Sequence, residues 1–457
     1  MTLLSLVGAL YFMVSGGPYG LEELAHKVGF GVAIAVLLVI PAVWSLPTAL
    51  MVGELAAALP EEGGYYAWVR RALGPFWGFQ EAWLSLVASV FDMALYPTLF
   101  TLYLLRAMPA LGAWPVTVGA LVMLTAAACN IAGARVVGQG SAAMTVLLMV
   151  PFAVLAAIAL LGHGVVPAAS ARPSPAPDLA GGILVAMWNY MGWDNVSTIA
   201  GEVRSPQRNY PRAVFIAIGL VALTYIVPFC AMWVAGVDPA DWDTGAWVDA
   251  ARTFGGAPLA AAVVVGGMVS AFGMCNALCL SYSRLPLVLA LDGYLPAVFA
   301  KCLPRTGVPW VSVFACAALW MLSLGLSFER LLTLDILLYG SSLVLEFVAL
   351  VVLRLREPDL VRPFRVSGGI AGAVALGLGP LALLGFALVK NASEQVGHVS
   401  ALLVAGGLML LGPLAYLAAR RTGAPRLRPG EEPHDVRDGL QSELPHRGPP
   451  GRRDRRG

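Results

Sequence analysis

Five acidic side chains stand in or at the ends of apolar runs long enough to cross a bilayer, where a charge costs about 2.5–3.5 kcal/mol on insertion scales. Asp92 lies mid-run between Phe76 and Arg106, with Tyr96 one helical turn away on the same face. Its carboxylate could hold the cationic group of a solute or carry a proton, although a structural hydrogen bond inside a bundle would also satisfy it. Asp194 follows Trp188-Asn189-Tyr190-Met191-Gly192-Trp193. There the carboxylate, the backbone carbonyls of Asn189 to Met191 and the rings of Trp188, Tyr190 and Trp193 could together receive an ammonium group, partly by cation–π attraction. The competing role for Asp194 is to cap the helical segment that follows it. Asp335, Tyr339, Ser342 and Glu346 share one helix face, expected to point into the bundle with Asp335 outward and Glu346 toward the cytoplasm. Glu346, and likewise Glu54 near the inner end of its run, has a second role open to it, pairing with a loop arginine as a gate or brace.

The elements that must position these groups follow from composition. Of the 457 residues, 58% are hydrophobic and only 12% charged. A soluble domain carries roughly 25% charge, so the chain is expected to be an all-α integral membrane protein. About 20 helical residues cross a hydrocarbon core, and twelve runs meet that length, centred on residues 2–25, 31–58, 76–106, 114–131, 136–161, 179–202, 213–236, 257–283, 308–327, 331–353, 369–390 and 398–419. They are too long for barrel strands and do not alternate. The first run has no basic n-region and no small-residue cleavage site, unlike a signal peptide. The chain begins almost inside it, as expected if the true start lies upstream.

Arg70, Arg71, Arg135, Arg204, Arg208, Arg212, Arg284, Lys301, Arg305, Arg354, Arg356, Arg362 and Arg365 crowd one set of loops, whereas the other holds only Lys27, Arg106, Arg172, Arg252, Arg330 and Lys390. The positive-inside rule then puts both termini in the cytoplasm. Residues 1–419 form the expected transporter domain, and the polar Pro/Gly-rich stretch 420–457 is expected to be disordered. A net charge of +2 with ten basic residues in that tail gives no nucleic-acid surface. Six scattered Cys and five His in loops, span ends and tail give neither a disulfide framework nor a metal site. Cys275 and Cys279, with Asn276 between them, are better read as small apolar filler than as site lining.

Two runs are interrupted in a way that an anchor does not require. Ser15-Gly16-Gly17-Pro18-Tyr19-Gly20 would cost several kcal/mol in a continuous helix, so the first run should unwind there. The sixth should unwind near Gly192. Non-helical backbone at this depth is tolerated only against protein or a water-filled cavity. Breaks five helices apart point to a midplane binding site between inverted repeats. The N–H groups of Gly16, Gly17 and Gly20 could bind a carboxylate there, as half-helix N-termini do.

At this point the sequence resembles the amino acid-polyamine-organocation (APC) permeases, nearest to their polyamine-uptake and amino acid permease branch. The likeness covers about residues 10–370. It rests on Val14 to Leu21, on Glu54 with Leu59-Pro60-Glu61-Glu62-Gly63-Gly64-Tyr65 through Leu73-Gly74-Pro75-Phe76-Trp77-Gly78-Phe79, and on Asp92-Met93-Ala94-Leu95-Tyr96-Pro97. It continues in Trp193 to Val203, Leu345-Glu346-Phe347, Leu353-Arg354-Leu355-Arg356-Glu357-Pro358 and Arg362-Pro363-Phe364. The resemblance implies a leucine-transporter-type fold, helices 1–5 repeated inverted as 6–10 with helices 1 and 6 broken, and helices 11 and 12 peripheral. Many proton-coupled members carry a helix-5 lysine in place of a sodium ion, yet residues 136–161 contain no charged residue. Asp92, Glu54 and Glu346 are therefore the candidate proton carriers.

The expectation is a secondary transporter in a bacterial-type inner membrane, importing a polyamine or amino acid by proton symport and needing no cofactor or metal. The candidate substrate-binding residues are Ser15, Gly16, Gly17, Gly20, Asp92, Tyr96, Trp188, Asn189, Tyr190, Gly192, Trp193, Asp194, Asp335 and Tyr339. Three acids on site-facing helices with no basic partner favour a cationic amine. The alternatives are a neutral amino acid permease or exchanger, and a nutrient receptor on the same fold. A channel lacks a filter motif, and an enzyme lacks a reactive constellation at one depth.

Overall fold

Residues 1–161, 177–240, 242–396 and 398–421 are described by the computed structural model. Arg172 and the stretch expected to be a disordered tail, beyond residue 421, lie outside the described residues. Among the described residues, eight helices are long and apolar enough to cross a membrane, from Glu22–Ala58 to Ala401–Arg420. Four shorter apolar helices accompany them, Leu3–Val14, Pro115–Asn130, Leu179–Trp188 and Trp310–Ser323. Each long or short helix falls on one of the apolar runs read from the sequence. A two-residue hairpin, Gln395–Val396 with Val399–Ser400, joins the last two helices.

Local chemistry sets the boundaries. Gly29, at φ 75°, kinks the segment Glu22–Ile40 and so sets off the turn after the first break from the long helix that follows. Gly74, at φ 93°, ends the short helix Tyr65–Leu73, and Pro75 opens the 33-residue helix Pro75–Ala107, where its missing N–H costs nothing. Large apolar side chains such as Leu38, Val146, Leu161, Leu403 and Leu410 are exposed around the bundle, the arrangement of a surface that meets lipid. In the most apolar window of each helix, Pro75–Ala107 and Phe328–Arg356 are both 67% buried, whereas Gly369–Lys390 and Ala401–Arg420 are 28% and 22% buried. The last two helices are peripheral. The Asp92 and Asp335 helices lie at the centre, packed on each other.

Glu54 fastens this centre to its surroundings. Arg354 Nε donates to Glu54 Oε1 at 2.9 Å, its Nη2 donates to Oε2, Arg362 Nε stands 3.4 Å from Oε1, and the Val366 N–H donates to Oε2 at 2.8 Å. The arginine partner considered for both Glu54 and Glu346 is thus found on Glu54. Both Glu54 and Arg354 are buried. Glu54→Gln leaves a buried guanidinium uncompensated, which usually costs about 3–5 kcal/mol. Thermal unfolding of the purified protein in detergent should show a clear drop in midpoint, and an unchanged midpoint would mean that this pair does not brace the bundle.

Candidate functional site

Both interrupted segments unwind. The helix Leu3–Val14 ends at Ser15, whose backbone is extended (φ −141°, ψ 136°), and helix resumes at Glu22. The helix Leu179–Trp188 ends at Asn189, Gly192 takes φ 91°, and a 3-10 segment, Asn195–Glu202, follows. The breaks meet backbone to backbone, since a Cβ on Gly192 would lie 2.3 Å from the Met13 carbonyl oxygen. A Cβ on Gly16 would lie 2.3 Å from Ser270 Oγ.

Backbone polar groups freed by the breaks must find partners inside the protein. Trp247 Nε1 donates to the Pro18 carbonyl at 3.0 Å, Tyr225 Oη to that of Asn189 at 2.6 Å, and Ser270 Oγ to that of Gly16. The Gly17 N–H donates to Ser15 Oγ at 3.0 Å, and the Gly20 N–H to Glu22 Oε2 at 2.7 Å. Glu22 also accepts from the Tyr103 hydroxyl and from the Gly245 N–H. Two of the three glycine donors considered for a carboxylate ligand are therefore engaged within the chain.

Beside the breaks, a small cavity of about 10 Å³ is lined by Met13, Val14, Asp92, Tyr96, Trp188, Met191, Gly192, Asn195, Met274, Tyr282, Asp335 and Tyr339. Tyr96 donates to Asp92 Oδ1, and Tyr282 donates to Oδ2 at 3.0 Å. Trp188 stacks on Tyr96 at 6.4 Å and 22°, and Phe328 meets Trp188 edge-on at 5.5 Å. Tyr339 accepts the Gly192 N–H at 3.1 Å and donates its own proton to Asp194 Oδ1. The Asp194 side chain makes no capping hydrogen bond, so it faces the tenth run's stripe instead of the segment it precedes. The wall thus combines two carboxylates with aromatic faces and holds no Lys, Arg or His, a lining whose chemistry suits a cationic group.

The structure gathers Asp92, Tyr96, Trp188, Gly192, Asp335 and Tyr339 on the cavity and sets Asp194 one hydrogen bond behind it. Ser15, Gly16, Gly17, Gly20, Asn189, Tyr190 and Trp193 do not line it. Tyr190 instead donates to the Leu37 carbonyl at 3.0 Å, and Trp193 is fully buried. Cys275 and Cys279 are buried outside the lining. The hydroxyl of Tyr282, seven residues after Cys275, was the readable signal on that helix. Glu81 also went unforeseen. It is fully buried on the same helix as Asp92, with Ser85 donating to its Oε1 at 3.3 Å. Its spacing of about three turns from Asp92 was the clue. Among the described residues, none of Glu81, Asp92, Asp194, Asp335 and Glu346 forms an ion pair with a basic side chain.

Residues 4–417 match the family described as amino acid permease. Over 432 residues the chain is 36% identical to the polyamine transporter PUT1 of Oryza sativa subsp. japonica, an alignment covering 92% of this chain and 79% of that protein. It is 34% identical over 422 residues to the polyamine transporter RMV1 of Arabidopsis thaliana, covering 90% and 84%. The crystal structure of MhsT in complex with L-phenylalanine, a leucine-transporter-type neighbour, matches with a TM-score of 0.52 at 15% identity, covering 92% of this chain and 98% of that one. That likeness is one of fold.

The contact at Gly192 has a direct test. A side chain there must adopt a left-handed backbone, at about 1–2 kcal/mol, and also displace the Met13 carbonyl. Gly192→Ala is expected to lower the unfolding midpoint and abolish transport. Gly219→Ala, whose Cβ meets nothing within 4 Å, is expected to leave both unchanged. Equal behaviour of the two variants would show that the breaks do not need to touch.

Proposed function

The chain belongs to the amino acid permease family, as a multi-pass membrane permease and not an enzyme, and from that premise we propose that it imports a polyamine by proton-coupled secondary transport. Its substrate class is a small amine or amino acid. The observation that carries the narrower choice is the cavity wall, with Asp92 and Asp335 exposed to one space and no cationic side chain among the residues around it. A ligand that brings two or more ammonium groups neutralises that wall. A neutral amino acid also brings a carboxylate, and two of the three glycine N–H groups considered for it, those of Gly17 and Gly20, are already bonded to Ser15 and Glu22. The polyamine transporters PUT1 and RMV1 support the same choice.

In the proposed arrangement the eight long and four short apolar helices make twelve spans, the first ten a five-plus-five inverted repeat. The corresponding breaks at Ser15–Gly20 and Gly192 support it. Arg70, Arg71, Arg284 and Arg354 support cytoplasmic termini, in what is proposed to be a bacterial inner membrane. In this reading the inner gate is made of Arg284, bonded to Glu202 at 2.8 Å, and of the Gly63 N–H, which donates to the Thr198 carbonyl at 3.2 Å. On the outer side Trp188 and Phe328 close the cavity. Opening one set of contacts while the other holds would expose the site to each side in turn.

Asp92→Asn keeps the side-chain volume and removes the charge that meets the ammonium. Putrescine binding should weaken by about 2–5 kcal/mol, the usual range when one member of a buried charge pair is lost. Affinities for putrescine and for alanine, measured at one pH in the native and Asp92→Asn proteins, check this. Unchanged putrescine affinity, or native binding of alanine alone, would remove the polyamine assignment and leave neutral amino acid transport.

A further inference from the structure

The Asp92 and Asp335 helices face each other with two tiers of acids. Asp92 and Asp335 form the tier on the cavity. Glu81 precedes Asp92, and Glu346 follows Asp335, by the same eleven positions, about three helical turns. On helices running in opposite directions, that spacing sets Glu81 and Glu346 opposite each other as a second tier, deeper toward the Arg354 end. Neither lines the cavity. Tyr339, between Asp335 and Glu346 on their helix, donates to Asp194 Oδ1, and the Asp194 charge acts on Glu81, Asp335 and Glu346.

The second tier is incomplete as it stands. Glu81, Glu346 and Tyr65 are all 0% exposed. Both oxygens of Glu346, Oε2 of Glu81 and the Tyr65 hydroxyl are buried without a hydrogen-bond partner. The titratable groups facing the pair are Asp194, Tyr65 from the Tyr65–Leu73 helix and Tyr339 from Glu346's own helix. None is cationic. Unpaired carboxylates away from water cost several kcal/mol each, so this tier calls for a bound positive charge. No group of three acidic, His or Cys side chains among the described residues converges closely enough to hold a metal ion. The proton needs no such convergence.

We propose that Glu81 and Glu346 form the proton site that couples transport, separate from the cavity that holds the substrate, with Asp194 and Tyr339 as the physical link between the two. The proposal rests on the secondary-transport reading above. The step is a simple protonation. An O–H bond forms at a carboxylate oxygen of the pair when the site communicates with the outside, and the same bond breaks to cytoplasmic water when the inner contacts open. Substrate at Asp92 and Asp335 and the proton at Glu81 and Glu346 each relieve the field that Asp194 feels, so binding of one favours binding of the other.

The test uses the full chain in proteoliposomes, with Glu81→Gln, Glu346→Gln and the conservative Glu346→Asp. Glutamine reproduces the shape of a protonated glutamic acid, so counterflow exchange of labelled putrescine should persist in both Gln variants. Putrescine accumulation driven by an inward pH gradient, with the potential clamped at zero by potassium and valinomycin, should fall to an inside-to-outside ratio of about one, because an uncoupled carrier only equilibrates its solute. Glu346→Asp should retain accumulation. A second measurement needs no substrate: the pH-difference infrared spectrum of the native protein should carry a carboxylic C=O band that is lost in either Gln variant. Undiminished accumulation in both Gln variants, or an infrared band unaltered by either substitution, would overturn the proposal. Accumulation driven by a sodium gradient and not by protons would overturn it too. If putrescine is not carried but the band behaves as expected, the polyamine assignment fails and the proton site stands.

Discussion

A carboxylate kept from water without a cation beside it is the constraint on which the rest of this structure depends. In the low-dielectric interior its charge must be met by a proton, a hydrogen-bonding shell or an arriving ligand. The protein deals with its buried acids in different ways. Glu54 receives two arginines and a backbone N–H and becomes a brace. Glu22 receives two backbone N–H groups and a tyrosine hydroxyl and becomes a clasp for the first break. Asp92 receives only tyrosine hydroxyls, and Glu346 receives nothing. The progression from fully paired to unpaired separates acids that hold the fold from acids that wait for a ligand.

The broken helices follow from the same economy of polar groups. Unwinding the chain at Ser15–Gly20 and at Gly192 frees N–H and C=O groups that lipid cannot satisfy. Tyr225, Trp247, Ser270 and Tyr339 satisfy them from neighbouring helices. Those partners also fix where the two breaks sit relative to Asp92 and Asp335, so the scaffold of the cavity is a by-product of satisfying the backbone. Tyr339 shows this most directly, since one hydroxyl ties the Gly192 backbone to the Asp194 carboxylate.

Much of this was legible in the amino-acid sequence, and the division follows the range of each interaction. Hydropathy is local, so the apolar runs coincide with the helices found. Helix-breaking residues are local too, and both breaks were readable from Gly and Pro. The stripe of Asp335, Tyr339 and Glu346 needed only helical periodicity. What escaped was set by partners distant in sequence. Nothing near Asn189 announces that Tyr225 occupies its carbonyl, and nothing near Glu54 announces Arg354, 300 positions away. Glu81 was overlooked because, beside Gln80 and close to the start of its helix, it resembles an interfacial residue. Only the opposing helix makes it a buried one.

The meeting of Gly192 with the Met13 carbonyl has a mechanical consequence. Side chains between two helices act as cushions, because their rotamers can take up a shift before the backbones feel it. Here there is no cushion. A displacement of either broken segment presses at once on the other, and the two are geared together like wheels without backlash. Small movements of one can then become simultaneous movements of both, which keeps the cavity from opening by halves.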